Sequence, residues 1–457
     1  MNLRVPPRSR QASIRTAVAL IVAFSAIELL AFSVAAPEAV RLDAALTHRV
    51  SARESGAKGD GQADDTSALQ RALTGGRRTV VIEPGTYSIR ATLKVDSETI
   101  VRADPHAIIR LAAGAGNSVD VFVLRNRDEV IGNHDIVVEG GIWDGNNEHN
   151  PRGTAAQIPC YSGVAFHFFN VQRLALRNLT LRNPETYAIR AARLTDFVIE
   201  HIGFDFSSVR ENQDGVHLNG YCERGVIRDL QALSPYATND DMVALNADDG
   251  SGKDYVFQQG MIPGPIRDIT VQHLRAPSVF SFVRLLSSQQ PIENIQISDV
   301  VGGCRFYAIN MDRWRFPVGG GRIRNVTIKD FTVHKAFDTF SRQSHAARRP
   351  LVHLQSTVEN FRIETFRRTD EEQPPAATLV VDNGQMNRLQ LAGLTGEQKR
   401  ALLSASPAVS AEAFTEATPD AGSSTFALQL STNALISLPT GGFSALVINP
   451  APEHPGL

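Results

Sequence analysis

A short pattern that recurs along the chain constrains its fold more than any other feature. Each copy reads apolar, any, apolar, any, polar, apolar, and the copies follow one another at about 23 to 44 residues, a spacing typical of repeat architectures. The alternation is that of a short β-strand. Copies lie at Ile136/Val138, Leu174/Leu176, Phe197/Ile199, Ile227, Ile269/Val271, Ile295/Ile297, Val326/Ile328 and Phe361/Ile363, followed in most cases by a polar residue: Asn178, His201, Asp229, His273, Asp299, Asp330 or Thr365.

The length of the repeat selects among repeat architectures. No unit has room for a recurrent long helix, which excludes helical solenoids. The pattern predicts an all-β fold, a right-handed single-stranded parallel β-helix in which each unit is one coil stacked on the next. A β-propeller is the alternative, but its blades need four strands each, which the shortest units cannot supply. Pro84–Tyr87, between two strand-like runs, is predicted to be a turn.

Before the first clear repeat, the chain carries signals for one short helix. Asp64 or Asp65 can cap its N-terminus, and Leu69 and Leu73 would share its buried face. We therefore expect an N-terminal capping helix and assign this aspartate pair a structural role.

Composition shifts divide the 457 residues into three segments. Residues 1–36 combine a basic head with a mostly apolar run and predict a signal peptide or an uncleaved N-terminal membrane anchor. Either reading predicts an exported protein, secreted or periplasmic, with a membrane contact only if the segment is retained. Residues 50–395 form the predicted β-helix domain, and residues 396–457 a C-terminal linker and capping segment, in which strands at 425–437 and 443–448 would cover the open end.

Bulk charge and cysteine content exclude several classes of function. The formal net charge is -2, so no nucleic acid partner is expected. Hydrophobic residues make up 42% and charged residues 21%, an ordinary soluble globular composition, and we expect a monomer. Cys160, Cys222 and Cys304 have neither metal-ligand nor redox-motif spacing and are predicted to be buried thiols. No cofactor and no metal are predicted.

Two strand-like segments carry carboxylates at their beginnings. Counted from the repeat positions, Asp214 lies about 15 residues past Ile199 and Asp241 about 14 past Ile227, which places the two acids one coil apart, about 4.8 Å along the stack. Asp240 adjoins the second acid. The alternation directs Val216, Leu218, Val243 and Leu245 into the core and leaves His217, Asn219, Ala244 and Asn246 pointing outward.

The same counting adds Arg190, Arg284 and Asp312 to this edge of the predicted helix. Charged residues at strand ends can simply line a solvated groove. The functional interpretation is glycoside cleavage, in which one carboxylic acid protonates the leaving oxygen and another carboxylate activates water. Crowding of three carboxylates raises the pKa of at least one, which keeps an acid protonated near neutrality. Inversion requires carboxyl groups about 6.5–9.5 Å apart.

Several short motifs, taken together, resemble a known family. Residues 56–61 with 64–66 resemble the opening motif of the pectate-lyase-like parallel β-helix superfamily. The acidic motifs at 212–215 and 239–241 and the turn at 140–145 resemble glycoside hydrolase family 28, the polygalacturonases. The resemblance extends over roughly residues 50 to 335.

The resemblance implies roles for individual residues. Carried over by position, it implies Asp240 as general acid and Asp214 and Asp241 as the pair that activates water. It also implies Arg284, within the segment Val283–Leu286, in substrate binding. The complete set of predicted substrate-binding residues is His217, Asn219, Asn246, Arg284, Arg190 and Asp312.

The sequence departs from the family pattern at two places. The family has a glycine-histidine-glycine motif about one coil after the paired aspartates, and residues 255–267 contain no histidine. The lysine of the substrate motif is replaced by Leu285 or Leu286, which weakens the argument for a uronate substrate. His217 could stand in for the missing histidine, or it could be a groove or ladder histidine, whereas His273 falls at the polar position of the repeat, where a structural role is expected.

The combined prediction is an exported inverting glycoside hydrolase that cleaves an acidic or pectin-like polysaccharide or oligosaccharide. One alternative is a polysaccharide lyase or epimerase on the same scaffold, which predicts calcium bound by carboxylates such as Asp240, Asp241, Asp248 and Asp249. The other alternative is a carbohydrate-binding β-helix without catalytic activity.

Overall fold

The computed structural model describes residues 48–152, 161–248, 262–312, 321–336, 349–356 and 358–369, and five further strand segments between 379 and 448. The predicted signal or anchor segment, residues 1–36, lies outside the described residues. Within them, no helix is long and apolar enough to cross a membrane.

The described part of the chain is almost entirely β-strand. The strands are β1 (Arg49–Ser51), β2 (Asp60–Asp64), β3 (Arg78–Ile82), β4 (Gly85–Ile89), β5 (Leu93–Val95), β6 (Thr99–Leu111), β7 (Leu124–Asn126), β8 (Asn133–Asp144), β9 (Phe166–Arg182), β10 (Ile189–Asp205), β11 (Val216–Leu218), β12 (Cys222–Ala232), β13 (Asp241–Asn246), β14 (Ile266–Leu286), β15 (Ile292–Asp312), β16 (Ile323–Lys335), β17 (Val352–Leu354), β18 (Val358–Arg368), β19 (Leu379–Val381), β20 (Leu389–Ala392), β21 (Phe426–Leu428), β22 (Ala434–Ile436) and β23 (Phe443–Ile448), with one helix, α1 (Thr66–Leu73), between β2 and β3.

Strands of successive coils pair in parallel, each residue beside its equivalent one coil further on. One column of apolar residues runs through the stack and forms part of the buried core; it contains Val50, Val80, Val101, Val138, Leu176, Ile199, Ile227, Val271, Ile297, Ile328 and Ile363. This arrangement is a parallel β-helix and confirms the predicted fold class. The stack begins at residue 50, well before the first repeat that the sequence made visible at about residue 134.

The backbone conformation explains why a polar residue recurs at the same position of each repeat. Asn178, His201, Asp229, His273, Asp299, Asp330 and Thr365 all have positive φ, between 52° and 58°. Asn, Asp and His tolerate this left-handed conformation better than most residues, which explains their recurrence there. Their side chains also pair between coils: His273 Nδ1 lies 2.6 Å from Asp299 Oδ2, and His201 Nε2 lies 3.7 Å from Asp229 Oδ2. His273 is therefore a structural residue, as predicted.

The N-terminal aspartate pair also has a structural role. The buried Asp65 carboxylate accepts hydrogen bonds from the backbone N–H groups of Lys58 (2.5 Å) and Gly59 (3.1 Å), and Asp64 accepts one from the N–H of Thr66 (3.0 Å) at the start of α1. The capping helix is present with Asp65 at its N-cap position, but the side chain that accepts a hydrogen bond from its first N–H group is that of Asp64. The turn predicted at 84–87 is wrong, because β4 begins at Gly85 and pairs with β6, which buries Tyr87.

Antiparallel strands lie at the C-terminal end of the stack, and two cysteines are buried in it. At the C-terminal end, β23 pairs antiparallel with β18, and β22 pairs antiparallel with β19, so these strands cover edges that the parallel stack leaves open. Cys222 and Cys304 are buried thiols, as predicted, and Cys160 lies outside the described residues.

Candidate active site

Three aspartates meet where β11 and β13 begin. Val216 pairs with Val243, so Asp214 and Asp241 lie on adjacent coils, and Asp240 precedes Asp241. One oxygen from each of the three carboxylates lies within 4.8 Å of the other two. Asp214 and Asp241 are each 2% exposed, whereas Asp240 is only partly buried. We call these three residues the acid triad.

The close approach of the two coils depends on Gly215. Its N–H donates to the carbonyl of Asp241 at 2.9 Å, and a Cβ at this position would lie 2.5 Å from the carbonyl oxygen of Met242. Any side chain there would push the coils apart and separate the carboxylates.

Burial and mutual repulsion change the protonation of the triad. Burial, followed by the charge of Asp214, raises the pKa of Asp240 to about 7. Burial, followed by the charge of Asp240, raises the pKa of Asp241 well above its usual range. Three acids this close cannot all ionise cheaply, so the triad holds a proton near neutral pH.

His217 is fixed on three sides. Its Nδ1 donates to Oδ2 of Asp214, and the amide of Asn246 lies 3.4 Å from its Nε2. Its ring stacks on Tyr187 with 4.2 Å between the centroids. His217 therefore contacts a carboxylate of the triad and orients it, and its predicted role in place of the missing histidine stays a prediction.

Arg284 links the triad to Asp312. Its Nε and Nη2 each donate to the Asp312 carboxylate at 2.9 Å, and its Nη1 lies 3.7 Å from Asp241. In the register of the stack, Asn246, Leu286 and Asp312 stand side by side, so Leu286 is an apolar residue within a polar row. The structure brings Arg284 and Asp312 to the predicted edge, but as a bonded pair.

Arg190 and Asn219 are buried, as are Asp214, Asp241 and His217. Arg190 is 1% exposed and Asn219 is fully buried. Arg190 donates to Nδ1 of His167 at 3.3 Å, and Nε2 of His167 lies 3.1 Å from Glu129. Burial and the adjacent Arg190 charge lower the pKa of His167 to about 4, so this histidine is neutral. In the register of the stack Arg190 lies beside His217, one coil before it, and its predicted role in substrate binding stays a prediction.

Sequence reasoning missed the aromatic residues around the triad. Tyr187 lies just before β10 and belongs to no recognised motif. It aligns with Asp214 on the next coil, and only this alignment could have identified it from the sequence. On the other side, Phe280 donates its N–H to the Thr238 carbonyl and stacks on Phe306 at 3.9 Å. These rings border the acids on adjacent coils.

The surroundings of the triad suit proton chemistry better than calcium binding. Calcium takes six to eight oxygen ligands, yet Arg284 already places a positive charge beside Asp241. The carboxylate of Asp248 accepts hydrogen bonds from the N–H groups of Ser288, Gln289 and Gln290, at 2.6 to 3.2 Å, which is a structural role. Asp249, also considered as a ligand, lies outside the described residues.

The separation of the acids is given by one oxygen of each carboxylate, and these oxygens lie within 4.8 Å of one another. Inverting enzymes typically hold their carboxyl groups, taken as whole groups, about 6.5–9.5 Å apart. The two distances join different points, so inversion stays a prediction.

A family comparison gives a match over more than half of the chain. The family described as rhamnogalacturonase A/epimerase, pectate lyase-like, matches residues 49–328, a range that contains all three acids, His217, Arg284 and Asp312.

Solved structures with a similar architecture have low sequence identity to this chain. A family 28 exopolygalacturonase from Yersinia enterocolitica has a TM-score of 0.47 and 13% identity over 73% of this chain and 78% of its own. PfbA, a surface adhesin of Streptococcus pneumoniae, has a TM-score of 0.45 and 13% identity over 74% and 93%. The A-module of the Azotobacter vinelandii mannuronan C-5 epimerase AlgE4 has a TM-score of 0.35 and 11% identity over 72% and 99%.

Proposed function

The chain belongs to the rhamnogalacturonase A/epimerase, pectate lyase-like family of carbohydrate-active enzymes, and from this premise we propose that it is a glycoside hydrolase acting on an acidic, pectin-like polysaccharide or oligosaccharide. The observation that carries the proposal is the acid triad, in which one carboxyl group retains a proton near neutrality beside carboxylates that can ionise.

Each member of the triad has a role in this proposal. Asp240, the least buried of the three, protonates the glycosidic oxygen as the bond breaks. Asp214 and Asp241 orient and deprotonate the attacking water. His217 keeps Asp214 in one orientation through its hydrogen bond, and Arg284 supplies positive charge at the edge of the site.

The experiment that tests this proposal compares Asp240→Asn with the wild type on a panel of acidic and neutral oligosaccharides. Loss of a general acid typically costs 10²- to 10⁴-fold, so we expect kcat to fall by about 10³-fold with KM nearly unchanged. Release of reducing ends is the readout. The matched control is Asp330→Asn, since Asp330 is exposed and occupies the polar position of its repeat. This variant should retain full activity.

Two results would remove the proposal. If the wild type releases no reducing ends from any panel member but still binds them, the protein is a carbohydrate-binding β-helix. If Asp240→Asn retains wild-type turnover, the triad does not perform the chemistry. Proton NMR of the first-formed anomer tests inversion, since a product with the configuration of the substrate would show retention.

A lyase or epimerase is the second candidate because of the contact between Asp214 and His217. An imidazole and a carboxylate in contact, with Arg284 nearby, could also remove a proton next to a sugar carboxylate. A lyase would form an unsaturated product that absorbs in the ultraviolet. An epimerase would remove the proton from one carbon and return a proton to its opposite face, leaving the glycosidic bond intact. Activity that is abolished by a calcium chelator would favour this candidate over hydrolysis.

The predicted export belongs to the proposal as well. We expect the mature protein to be secreted or periplasmic, with residues 1–36 removed or retained as an anchor. N-terminal sequencing of the protein recovered from its host separates the two outcomes.

A further inference from the structure

A groove lies far from the acid triad, at the N-terminal end of the stack, between α1 and the strands β5 and β7. It encloses about 810 Å³ and is lined by hydroxyl and amide side chains together with four cationic residues, Arg71, Lys94, Arg125 and Arg127. Asp120 is its one acidic lining residue among the part of the chain that is described. We call it the N-terminal groove.

Two of the four cations already have acidic partners. Arg125 pairs with Glu129 at 2.7 Å, and Arg127 pairs with Asp96. The other two, Arg71 and Lys94, are exposed and form no ion pair with any described residue. The four cations of the N-terminal groove face three carboxylates, Glu129, Asp96 and Asp120, which leaves an excess of one positive charge.

The walls of the N-terminal groove are held in place. Gln70 of α1 exchanges two hydrogen bonds with the backbone of Lys94, at 2.8 and 2.9 Å, so the helix is fixed to β5. Arg71 donates to the carbonyl of Ser55 at 2.6 Å, which limits the movement of its guanidinium group. A rigid cationic groove loses less entropy on binding than mobile side chains would.

The register of the stack connects the N-terminal groove with the acid triad. Lys94 pairs with Arg125, Arg125 with His167, His167 with Arg190, and Arg190 with His217. Four steps of about 4.8 Å span about 19 Å along one straight face of the β-helix. His167 and Arg190, which lie between the two sites in this row, are buried, so a linear polymer that reaches both sites passes over the groups that cover them.

We propose that the N-terminal groove is a secondary binding site for an anionic polysaccharide, which holds a remote part of the polymer whose scissile bond lies at the acid triad. This inference rests on the proposed function, because one polymer is taken to occupy both sites. Unpaired cations attract the carboxylate or sulfate groups of the sugar chain, and the hydroxyl and amide groups around them suit its hydroxyl groups.

A glycan fits these observations better than a nucleic acid. The formal net charge of the chain is -2, and a nucleic acid site would need a larger basic surface that contacts many phosphates. The bases of a single strand also need exposed aromatic rings, and the described lining of the N-terminal groove contains none.

The test measures binding in an Asp240→Asn background, so that no polymer is cleaved. The double substitution Arg71→Gln/Lys94→Gln is compared with Arg322→Gln/Lys329→Gln, which removes two exposed cations elsewhere on the stack. The probes are polygalacturonate, a sulfated galactan, a neutral galactan and double-stranded DNA, measured by calorimetry at low and high salt. Thermal unfolding shows whether each variant is folded.

We expect the groove variant to bind polygalacturonate or the sulfated galactan about fivefold more weakly at low salt, with a smaller difference at high salt. If the affinity falls for only one of these two glycans, the result identifies whether the groove binds carboxylate or sulfate groups. Equal affinities of the groove and control variants for both anionic glycans would overturn the inference. So would an equal loss for DNA, because the groove would then be a non-specific cationic patch.

Cleavage is measured separately on the wild-type protein with the same polymers. If the wild type releases reducing ends and the groove variant binds the anionic glycans as tightly as the control variant, the secondary site is overturned and the proposed function stands. No cleavage of any polymer would overturn the proposed function itself, whatever the binding data show.

Discussion

At the scale of single residues, the feature that bears most on the proposed function is the protonation of Asp240. Its pKa of about 7 results first from burial and then from the charge of Asp214 one coil away. The shared proton belongs to the triad as a whole, so the measurable quantity is an apparent pKa of the coupled group.

The direction of the shift gives a prediction for the pH dependence of activity. Asp240 is protonated below its pKa and acts as an acid only in that form, so kcat/KM should fall about tenfold per unit as pH rises above about 7. An ordinary aspartate would already be ionised at pH 5. A pH–rate profile between pH 4 and 9 is the measurement, and activity that stays constant up to pH 9 contradicts the role of Asp240 as the acid.

Asp312 offers a second prediction at this scale. Its carboxylate holds Arg284 and also raises the pKa of Asp241. Asp312→Asn should leave the positive charge of Arg284 less compensated beside the triad, which favours ionised acids. We expect the alkaline limb of the pH–rate profile to move to lower pH and kcat/KM at pH 7 to fall about tenfold. A variant that loses activity with an unchanged profile would mean that Asp312 acts only through packing.

At the scale of the structural element, the repeated left-handed residue determines how each coil turns. Asp330 has a φ of 56° and an exposed side chain, so its substitution tests the backbone conformation with little effect on packing. A β-branched residue is strained there, and we expect Asp330→Val to lower the free energy of unfolding by about 1–2 kcal/mol. Asp330→Gly should be neutral or slightly stabilising, since glycine adopts this conformation without strain. Urea unfolding of the two variants measures the difference, and equal stabilities would contradict the argument.

At the scale of the whole molecule, the strand edges exposed at the ends of the β-helix need to be covered. The antiparallel pairing of β22 and β23 with β19 and β18 satisfies backbone groups that would otherwise be exposed at the last coils. We expect removal of residues 396–457 to expose these edges and to cause association at micromolar concentration, measured by light scattering. A truncated protein that remains monomeric and equally stable would show that the C-terminal strands do not protect the stack.

The parallel stacking of the coils also explains how residues far apart in the sequence come to lie in one column. Each coil contributes one residue to a given column, so Lys94 and His217 lie on one line although 123 positions separate them in the chain. The acid triad and the N-terminal groove are both consequences of this stacking.

The sequence by itself determined the architecture and which acids lie on adjacent coils. Apolar residues that alternate at the strand period must face a common core, and Asn, Asp or His at the left-handed position marks each turn. Counting from these positions placed Asp214 one coil from Asp241, because the strands between them keep the register fixed. The turn predicted at 84–87 failed because Thr86 and Tyr87 gain partners in β6, which no local preference indicates.

Only the tertiary structure decided how deep each side chain lies and which group it contacts. The loops between coils differ in length, so the pattern fixes the column of a residue but not what covers it. For this reason the sequence did not reveal that Arg190 is buried against His167, that Arg284 is bonded to Asp312, or that the three acids approach within 4.8 Å. The raised pKa of Asp240 depends on this proximity and burial, which exist only after the coils have stacked.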